Sequence, residues 1–327
     1  MLAIIATAPG GPDVLDLVEI DDPYPGPRDL LVRTLAAGVN FVDTYRRSGL
    51  YPMPYPHVVG SEGAGEVVAV GRDVTDFAVG DLVAWADAPS SYAELVVVPA
   101  RVALAVPAGV SAVVAAALPL QGMTAHYLAT STFPVQTGQD VLVHAGAGGV
   151  GLLLTQLAAA RGARVITTVS TPEKEALSRA AGAADVIRYT ELDDLTEELP
   201  ALVRGLTGRA GVHTVFDGVG RTTFDASLAS LRPRGGLALF GASSGPVPPV
   251  DPQRLNAAGS VFLTRPTLGH HTATREELTW RAGELFDAVA AGTLDVRVGA
   301  TYPLADAEEA HRALEGRATT GKVVLVA

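Results

Sequence analysis

Between residues 141 and 263, short apolar runs alternate with stretches whose apolar positions recur every three or four residues. Val141–Val143, Val165–Val169, Asp185–Tyr189, Val212–Phe216, Leu237–Phe240 and Val261–Leu263 are the runs, each of a length and composition that suits a buried strand. Between the first two, Leu152, Leu153, Gln156, Leu157 and Ala160 keep helical spacing, and Gly162 is placed to end that helix. Thr171-Pro172-Glu173 reads as the next helix start, with Thr as N-cap and Pro in the first position. Alternating strand and helix predicts an α/β fold built on a doubly wound parallel sheet.

The first third has a different rhythm. Leu30–Val39, Gly63–Val70, Asp81–Trp85 and Tyr92–Val98 are Val- and Leu-rich segments separated by Gly, Pro and Asp, the spacing of a small barrel or sandwich. Between the first two lies VNFVDTYRRSGLYPMPYP, residues 39–56, with too many prolines for one regular element. It is expected to be a long loop carrying Asn40, Asp43, Tyr45, Arg46, Arg47 and Tyr51, and such a loop either bears a site or is ordinary surface. An alanine-rich helical stretch, Ala112–Ala129, breaks at Pro119. The tail predicts a helix over Glu276–Ala290, a strand-like piece, a helix around Glu308–Glu315 and a closing strand Lys322–Val326. Residues 102–139 hold no Asp, Glu, Lys or Arg, but Pro107, Pro119 and Pro134 interrupt them. A membrane span needs ~20 strongly apolar residues in succession, so buried helix is the better reading.

Composition narrows the function. A chain of 327 residues has room for two domains with separate cores, and 48% apolar content excludes disorder. A net charge of −11 argues against nucleic acid or an anionic membrane as partner, since both reward basic patches. The absence of cysteine removes disulfides, thiol catalysis and thiolate metal ligands, and fits a reducing compartment, the cytoplasm. The opening MLAIIATAPGGPD lacks a basic region and is not expected to be a secretory signal.

Gly146, Gly148 and Gly151 form G-x-G-x-x-G with a strand before, a helix after and a second strand following, the context in which this pattern binds a dinucleotide. The first glycine is expected to permit the bend, the second to let backbone approach a pyrophosphate, and the third to let helix pack on strand. The phosphates would sit on free N–H groups of Gly149, Val150 and Gly151 at the helix N-terminus. At the end of the second strand, where an NAD enzyme places an acid for the ribose, the chain reads Val169-Ser170-Thr171 with Lys174 one turn on. A hydroxyl and an ammonium suit a 2′-phosphate, hence NADPH. The alternative, a solvated lysine paired with a neighbour, is outweighed by the missing acid. The seven histidines make no H-E-x-x-H and have no cysteine partners, so no metal site is expected. A Ser-His-Asp triad stays open, although no G-x-S-x-G elbow is read.

Taken together, NFVDTYRRSGLYP, GSEGAGEVVAVG, HAGAGGVGLL, FGASSG, LTRPTL and EGRATTGK resemble the zinc-independent quinone oxidoreductases of the medium-chain dehydrogenase/reductase superfamily, the group that includes zeta-crystallin. The resemblance spans nearly the whole chain. It implies a GroES-like, β-rich catalytic domain formed by both chain ends, residues 1–124 and 268–327, and a Rossmann domain over 125–267, with NADPH in the cleft between them. It implies one- or two-electron reduction of quinones, or alternatively reduction of enones and 2-alkenals at the C=C bond. By position, Asn40, Tyr45 and Tyr51 would line the nicotinamide and substrate site, and Thr124 would lie near the nicotinamide ribose and phosphate. Ser170, Lys174 and Tyr189 would surround the 2′-phosphate, while Phe240, Ser243, Ser244 and Arg317 would close over the cofactor. Zinc-dependent relatives place a cysteine near Val39-Asn40 and a histidine after Gly60, where this chain has Ser61. Some zeta-crystallins have structural or RNA-binding duties; the acidic charge and lack of basic clusters speak against RNA here. Gly259–Thr264, a late apolar segment, is expected to be an edge strand that pairs two copies into a homodimer.

Overall fold

In the computed structural model, which describes residues 1–327, two units can be distinguished: Met1–Met123 joined by Thr272–Ala327, and Thr124–His271. The first opens with β1 (Leu2–Ala6), β2 (Leu15–Glu19), β3 (Asp29–Val39), β4 (His57–Val58), β5 (Glu62–Val70), β6 (Leu82–Trp85), β7 (Leu95–Pro99) and β8 (Leu104–Ala105). Strands β2, β1 and β4 make a small antiparallel sheet. β3 organises the larger one, pairing antiparallel with β5 along its length and with β7 along its first half. Leu30, Val32, Thr34 and Ala36 point inward while Arg33 and Leu35 stay exposed, the period-two pattern of a half-covered strand. From Ala36 to Val39 every residue is buried.

Residues 39–56 are not one long loop. Phe41–Arg47 form helix α1, begun by Asn40, whose backbone N–H is accepted by Asp43 Oδ2 at 3.0 Å. Pro52, Pro54 and Pro56 all follow the helix, so the proline count of the whole stretch says nothing about its first half. The uncharged stretch 102–139 is divided among β8, α2 (Ala112–Ala117) and α3 (Pro119–Tyr127), and no helix of the chain is long and apolar enough to cross a membrane.

The second unit runs β9 (Asp140–Val143), α4 (Gly149–Ala160), β10 (Arg164–Val169), α5 (Pro172–Ala180), β11 (Asp185–Arg188), α6 (Leu195–Leu206), β12 (Val212–Asp217), α7 (Phe224–Ser230), β13 (Leu231–Leu239), α8 (Gln253–Ala257), β14 (Phe262–Thr264) and α9 (Leu268–His271). Its six strands are all parallel, in the order β11-β10-β9-β12-β13-β14. Leu142, Ile166, Val215 and Leu237 from the strands meet Leu199 and Val203 of α6 and Phe224 and Leu228 of α7 in one core. The strand order reverses between β9 and β12, which is where a doubly wound sheet opens a crevice beyond its carboxyl ends.

The chain then returns to the first unit with α10 (Arg275–Ala290), β15 (Val298–Pro303), α11 (Ala307–Glu315) and β16 (Lys322–Val326). β16 pairs antiparallel with the last four residues of β3, on the edge opposite β5, and parallel with β15. β16 closes the sheet edge beside Ala36–Val39, while α11 packs against Ala37 and Val39 and α2 approaches Gly38.

Candidate functional site

At the end of β9 the chain turns through Ala145, whose φ of +53° makes it, and not Gly146, the residue that takes the left-handed bend. Gly146 is needed for another reason: a Cβ there would lie 2.6 Å from Thr167 Cβ on β10. At Gly151 a Cβ would collide with the Ala145 carbonyl, so the third glycine does let α4 pack on the turn. Gly148 differs from both, because a Cβ there meets nothing in the chain closer than 3.2 Å. That contact, with the Ala145 carbonyl oxygen, is tight, but the contacts at Gly146 and Gly151 are far shorter, and Gly148 is half-buried. No side chain caps α4, whose first-turn amides at Gly149, Val150 and Gly151 therefore have no partner from a capping residue. This amide-lined turn fits a dinucleotide pyrophosphate.

Beneath the turn lies a closed polar group. Buried His144 sits 2.9 Å from Thr168 Oγ1 through Nδ1 and 2.9 Å from Ser227 Oγ through Nε2, and Ser227 donates to Asp217 Oδ2 at 2.7 Å. Asp217 also accepts from Thr223 Oγ1 and from the backbone N–H groups of Val219 and Gly220. The composition is that of a Ser-His-Asp triad with the wrong order. Ser227 gives its hydrogen to the aspartate, so the histidine is not its base. The group fixes the ends of β9 and β12 on either side of the strand reversal, and burial lowers the pKa of His144. Contrary to the reading that the chain lacks G-x-S-x-G, Gly241–Gly245 has those letters, yet it follows β13 into a proline-rich stretch and no helix begins before Gln253, so it forms no nucleophile elbow.

Ser170 and Tyr189 directly follow Val169 and Arg188, which are paired in the register of β10 and β11, so parallel strand ends bring them together. The Ser170 carbonyl accepts from Thr190 Oγ1 at 2.7 Å, tying the two loops. Lys174 is half-buried in the first turn of α5, its backbone N–H held by Thr171 Oγ1 at 3.3 Å. Arg188, a second cation here, pairs with Glu175 and Glu191 at 3.2 and 2.9 Å. At the end of β13, Phe240 packs over Gly218, where a Cβ would lie 2.8 Å from the ring. Ser243 N donates to the Gly218 carbonyl, and Ser244 Oγ donates to the Val219 carbonyl while accepting from Thr222 N. Ser244 thus holds the loop beside Gly218–Val219. Thr124 is buried on α3.

Asn40, Tyr45, Tyr51 and Arg317 lie in the other unit. Tyr45, buried on α1, meets Tyr51 edge-on at 5.3 Å between ring centroids, and Tyr51 N donates to the Tyr45 carbonyl at 3.0 Å. Tyr51 is 39% exposed, so the pair presents one accessible ring. Arg317 follows α11 with a φ of +56°. Asn40 is buried and engaged on every side: Nδ2 donates to the Gly38 carbonyl at 3.1 Å and Glu62 Oε2 at 2.9 Å, and Oδ1 accepts from Lys322 Nζ at 2.6 Å. Glu62 and Lys322 escaped the sequence reading. The available signal was a charge at the head of a strand, in GSEGAGEVV, where Glu66 is the only other charge, and in GKVVLV, where there is no other.

Residues 26–108 match the family model described as alcohol dehydrogenase GroES-like domain, and residues 149–282 the one described as zinc-binding dehydrogenase. Quinone oxidoreductase of Pseudomonas aeruginosa is 44% identical over 319 residues, covering 97% of each chain. The chain belongs to the quinone oxidoreductases of the medium-chain dehydrogenase/reductase superfamily. Escherichia coli quinone oxidoreductase, solved in complex with NADPH, superposes with a TM-score of 0.96 at 41% identity over all of both chains. A mycobacterial protein solved with NADPH does so with a TM-score of 0.97 at 57% identity, again over both full lengths. The 2-haloacrylate reductase of a Burkholderia species is 40% identical over 335 residues, 100% of this chain and 99% of that one.

The residues do not fit the zinc that one family description names. Where zinc-dependent members have a cysteine this quinone oxidoreductase has the fully engaged Asn40, and where they have a histidine it has Ser61. The Ser61 hydroxyl donates to Asp43 Oδ1 at 2.7 Å and accepts from Arg46 Nη1 at 2.6 Å, which puts a cation where a metal would need a donor. Across the chain no three His, Asp or Glu side chains are grouped to hold a metal.

Proposed function

We propose that this chain reduces quinones with NADPH, and the observation that carries the reading is the uncapped, amide-lined turn at the start of α4. NADPH, when bound, supplies the hydride. The backbone from Gly146 to Gly151 holds the pyrophosphate, Ser170, Lys174 and Tyr189 receive the 2′-phosphate, and Thr124, Phe240, Ser243, Ser244 and Arg317 complete the cofactor contacts. Tyr45 and Tyr51 orient the acceptor carbonyl, and Asn40, at the start of α1, belongs to the same site. A reduced quinone takes its proton from solvent or a tyrosine hydroxyl, so the chain needs no strong acid, only a geometry that holds the acceptor and keeps water away. Steady-state NADPH oxidation with a panel of quinones tests the reading. Turnover with none of them would refute it.

The kinship to 2-haloacrylate reductase favours a second reading, reduction of an activated C=C bond at the same residues. The same assay separates them, since a C=C reductase turns over 2-haloacrylates and enones in preference to quinones. The reading further includes a homodimer joined along β14, an edge strand on which Phe262 is 60% exposed, and residence in the cytoplasm.

A further inference from the structure

The strands β16, β3 and β5 lie side by side, and one end of this group gathers three polar side chains from distant parts of the chain. Lys322 heads β16, Glu62 heads β5, and Asn40 follows the last residue of β3. Lys322 Nζ lies 2.5 Å from Glu62 Oε2 and 2.6 Å from Asn40 Oδ1, and Asn40 Nδ2 donates to the same Glu62 oxygen at 2.9 Å. The other oxygen, Oε1, accepts from Leu120 N at 2.6 Å, in the first turn of α3. Lys322 and Glu62 are 3% and 0% exposed, so the ion pair is cut off from water. Gly38 makes room for it: a Cβ there would lie 2.8 Å from Lys322 Cε and strike the Glu62 carboxylate.

An ammonium can only donate and a carboxylate only accept, so the two charges read the two ends of the Asn40 amide unambiguously. Oxygen must face Lys322 and nitrogen must face Glu62; turning the amide over would set donor against donor and acceptor against acceptor. The Gly38 carbonyl, which accepts from Nδ2 at 3.1 Å, favours the same orientation from one side, and the two charges hold the amide from both ends. Stability alone is a poor reason to keep two charges here, because a buried ion pair replaced by apolar side chains of similar size is often no loss. We propose that Lys322 and Glu62 are positioning residues for the reduction, acting by fixing the side chain of Asn40 and with it the start of α1, which carries Tyr45. The inference rests on the reading that Asn40 belongs to the site.

The experiment compares wild type, Glu62→Gln/Lys322→Met, Asn40→Ala and the triple combination in NADPH oxidation with p-benzoquinone, with melting temperature as a control. The double variant is expected to melt at or above the wild-type temperature, to lose about tenfold or more in kcat/KM for the quinone, and to keep its KM for NADPH within about twofold, since a displacement of ~1 Å at a reacting centre costs up to about a hundredfold. In the Asn40→Ala background the same two substitutions are expected to change kcat/KM by less than about twofold, the signature of residues that act through Asn40. Full activity in the double variant beside an impaired Asn40→Ala would overturn the inference and leave the site intact. So would losses that simply add. If Asn40→Ala itself reacts like wild type, the placing of Asn40 in the site is wrong and the inference falls with it. Should the double variant not fold, Glu62→Gln alone carries the same expectation: it keeps the shape and the acceptor for Leu120 N but turns a donor toward Asn40.

Discussion

Acid should destabilise the first unit through one histidine, and the size of the effect follows from its hydrogen bonds. His311 is buried on α11 with Arg47 Nη1 3.0 Å from Nδ1 and Tyr92 OH 3.2 Å from Nε2. A guanidinium only donates, so Nδ1 holds the lone pair and Nε2 the hydrogen, which goes to Tyr92; Tyr92 in turn donates to Asp43 Oδ2 at 3.2 Å. Arg47 is itself anchored by Glu315 at 2.7 Å and the Gly10 carbonyl at 3.1 Å, so it does not move aside. Protonating Nδ1 would break the bond to Arg47 and set two buried cations face to face. Burial first, and the charge of Arg47 second, push His311 from 6.5 down to about 3.

Between those two values the unfolded chain binds a proton that the folded chain refuses, so stability rises with pH and is lost as pH falls through the window. At about pH 5, some 1.5 units below the unfolded value, the loss is about 2 kcal/mol at ~1.36 kcal/mol per unit. Asp43 works in the opposite sense, because burial raises its pKa and the folded state then binds its proton more readily as pH falls. His144 works in the same sense as His311. Both persist in a His311→Gln variant, which keeps an acceptor for Arg47 and a donor for Tyr92 without titrating, so their contributions cancel in a comparison. The assay is urea unfolding at about pH 7 and about pH 5 followed by tryptophan fluorescence, since Trp85 and Trp280, the only two tryptophans, both lie in the unit that holds His311. Wild type is expected to lose about 2 kcal/mol more than His311→Gln between the two conditions. Equal losses would show that His311 does not stay neutral in the folded chain.

Cofactor choice is expected to respond to Lys174→Ala with a KM for NADPH about tenfold higher and that for NADH little changed, because one charge-assisted phosphate contact is worth about one decade. Ser170→Asp is expected to go further by repelling the 2′-phosphate and accepting from the ribose hydroxyls, and steady-state kinetics with both cofactors checks the two variants. Tyr51→Ala is expected to lower kcat/KM for quinone while leaving the melting temperature within a few degrees; a Tyr51 that only packs against Tyr45 would do the reverse. Light scattering at micromolar concentration is expected to give a dimer, and Phe262→Lys on β14, which places a charge on the edge strand, is expected to shift it toward monomer.

The parallel sheet was legible in the sequence because each of its strands lies between helices and carries its own apolar run, so local pattern and tertiary role coincide. The same holds for Thr171 and Pro172 at the start of α5, where Thr171 Oγ1 does accept from Lys174 N. Two local readings went wrong for local reasons. Averaging over residues 39–56 let the prolines after position 51 hide the seven residues of α1, and assigning the bend to Gly146 ignored that a non-glycine at Ala145 can take it when the glycines on either side of the turn are needed for close packing. What the sequence could not show is the polar framework around Asn40 and α1, because its partners are remote: Lys322 and Asn40 are 282 positions apart, and Arg47 and His311 are 264. A charged residue heading an apolar strand reads as solvated until the neighbouring strand is known. β16 supplies that neighbour by entering the sheet beside β3, and in doing so it buries Lys322 next to Asn40, whose amide it holds together with Glu62 and the Gly38 carbonyl. Closing the first unit with the far end of the chain and setting the geometry of Asn40 are therefore a single structural event.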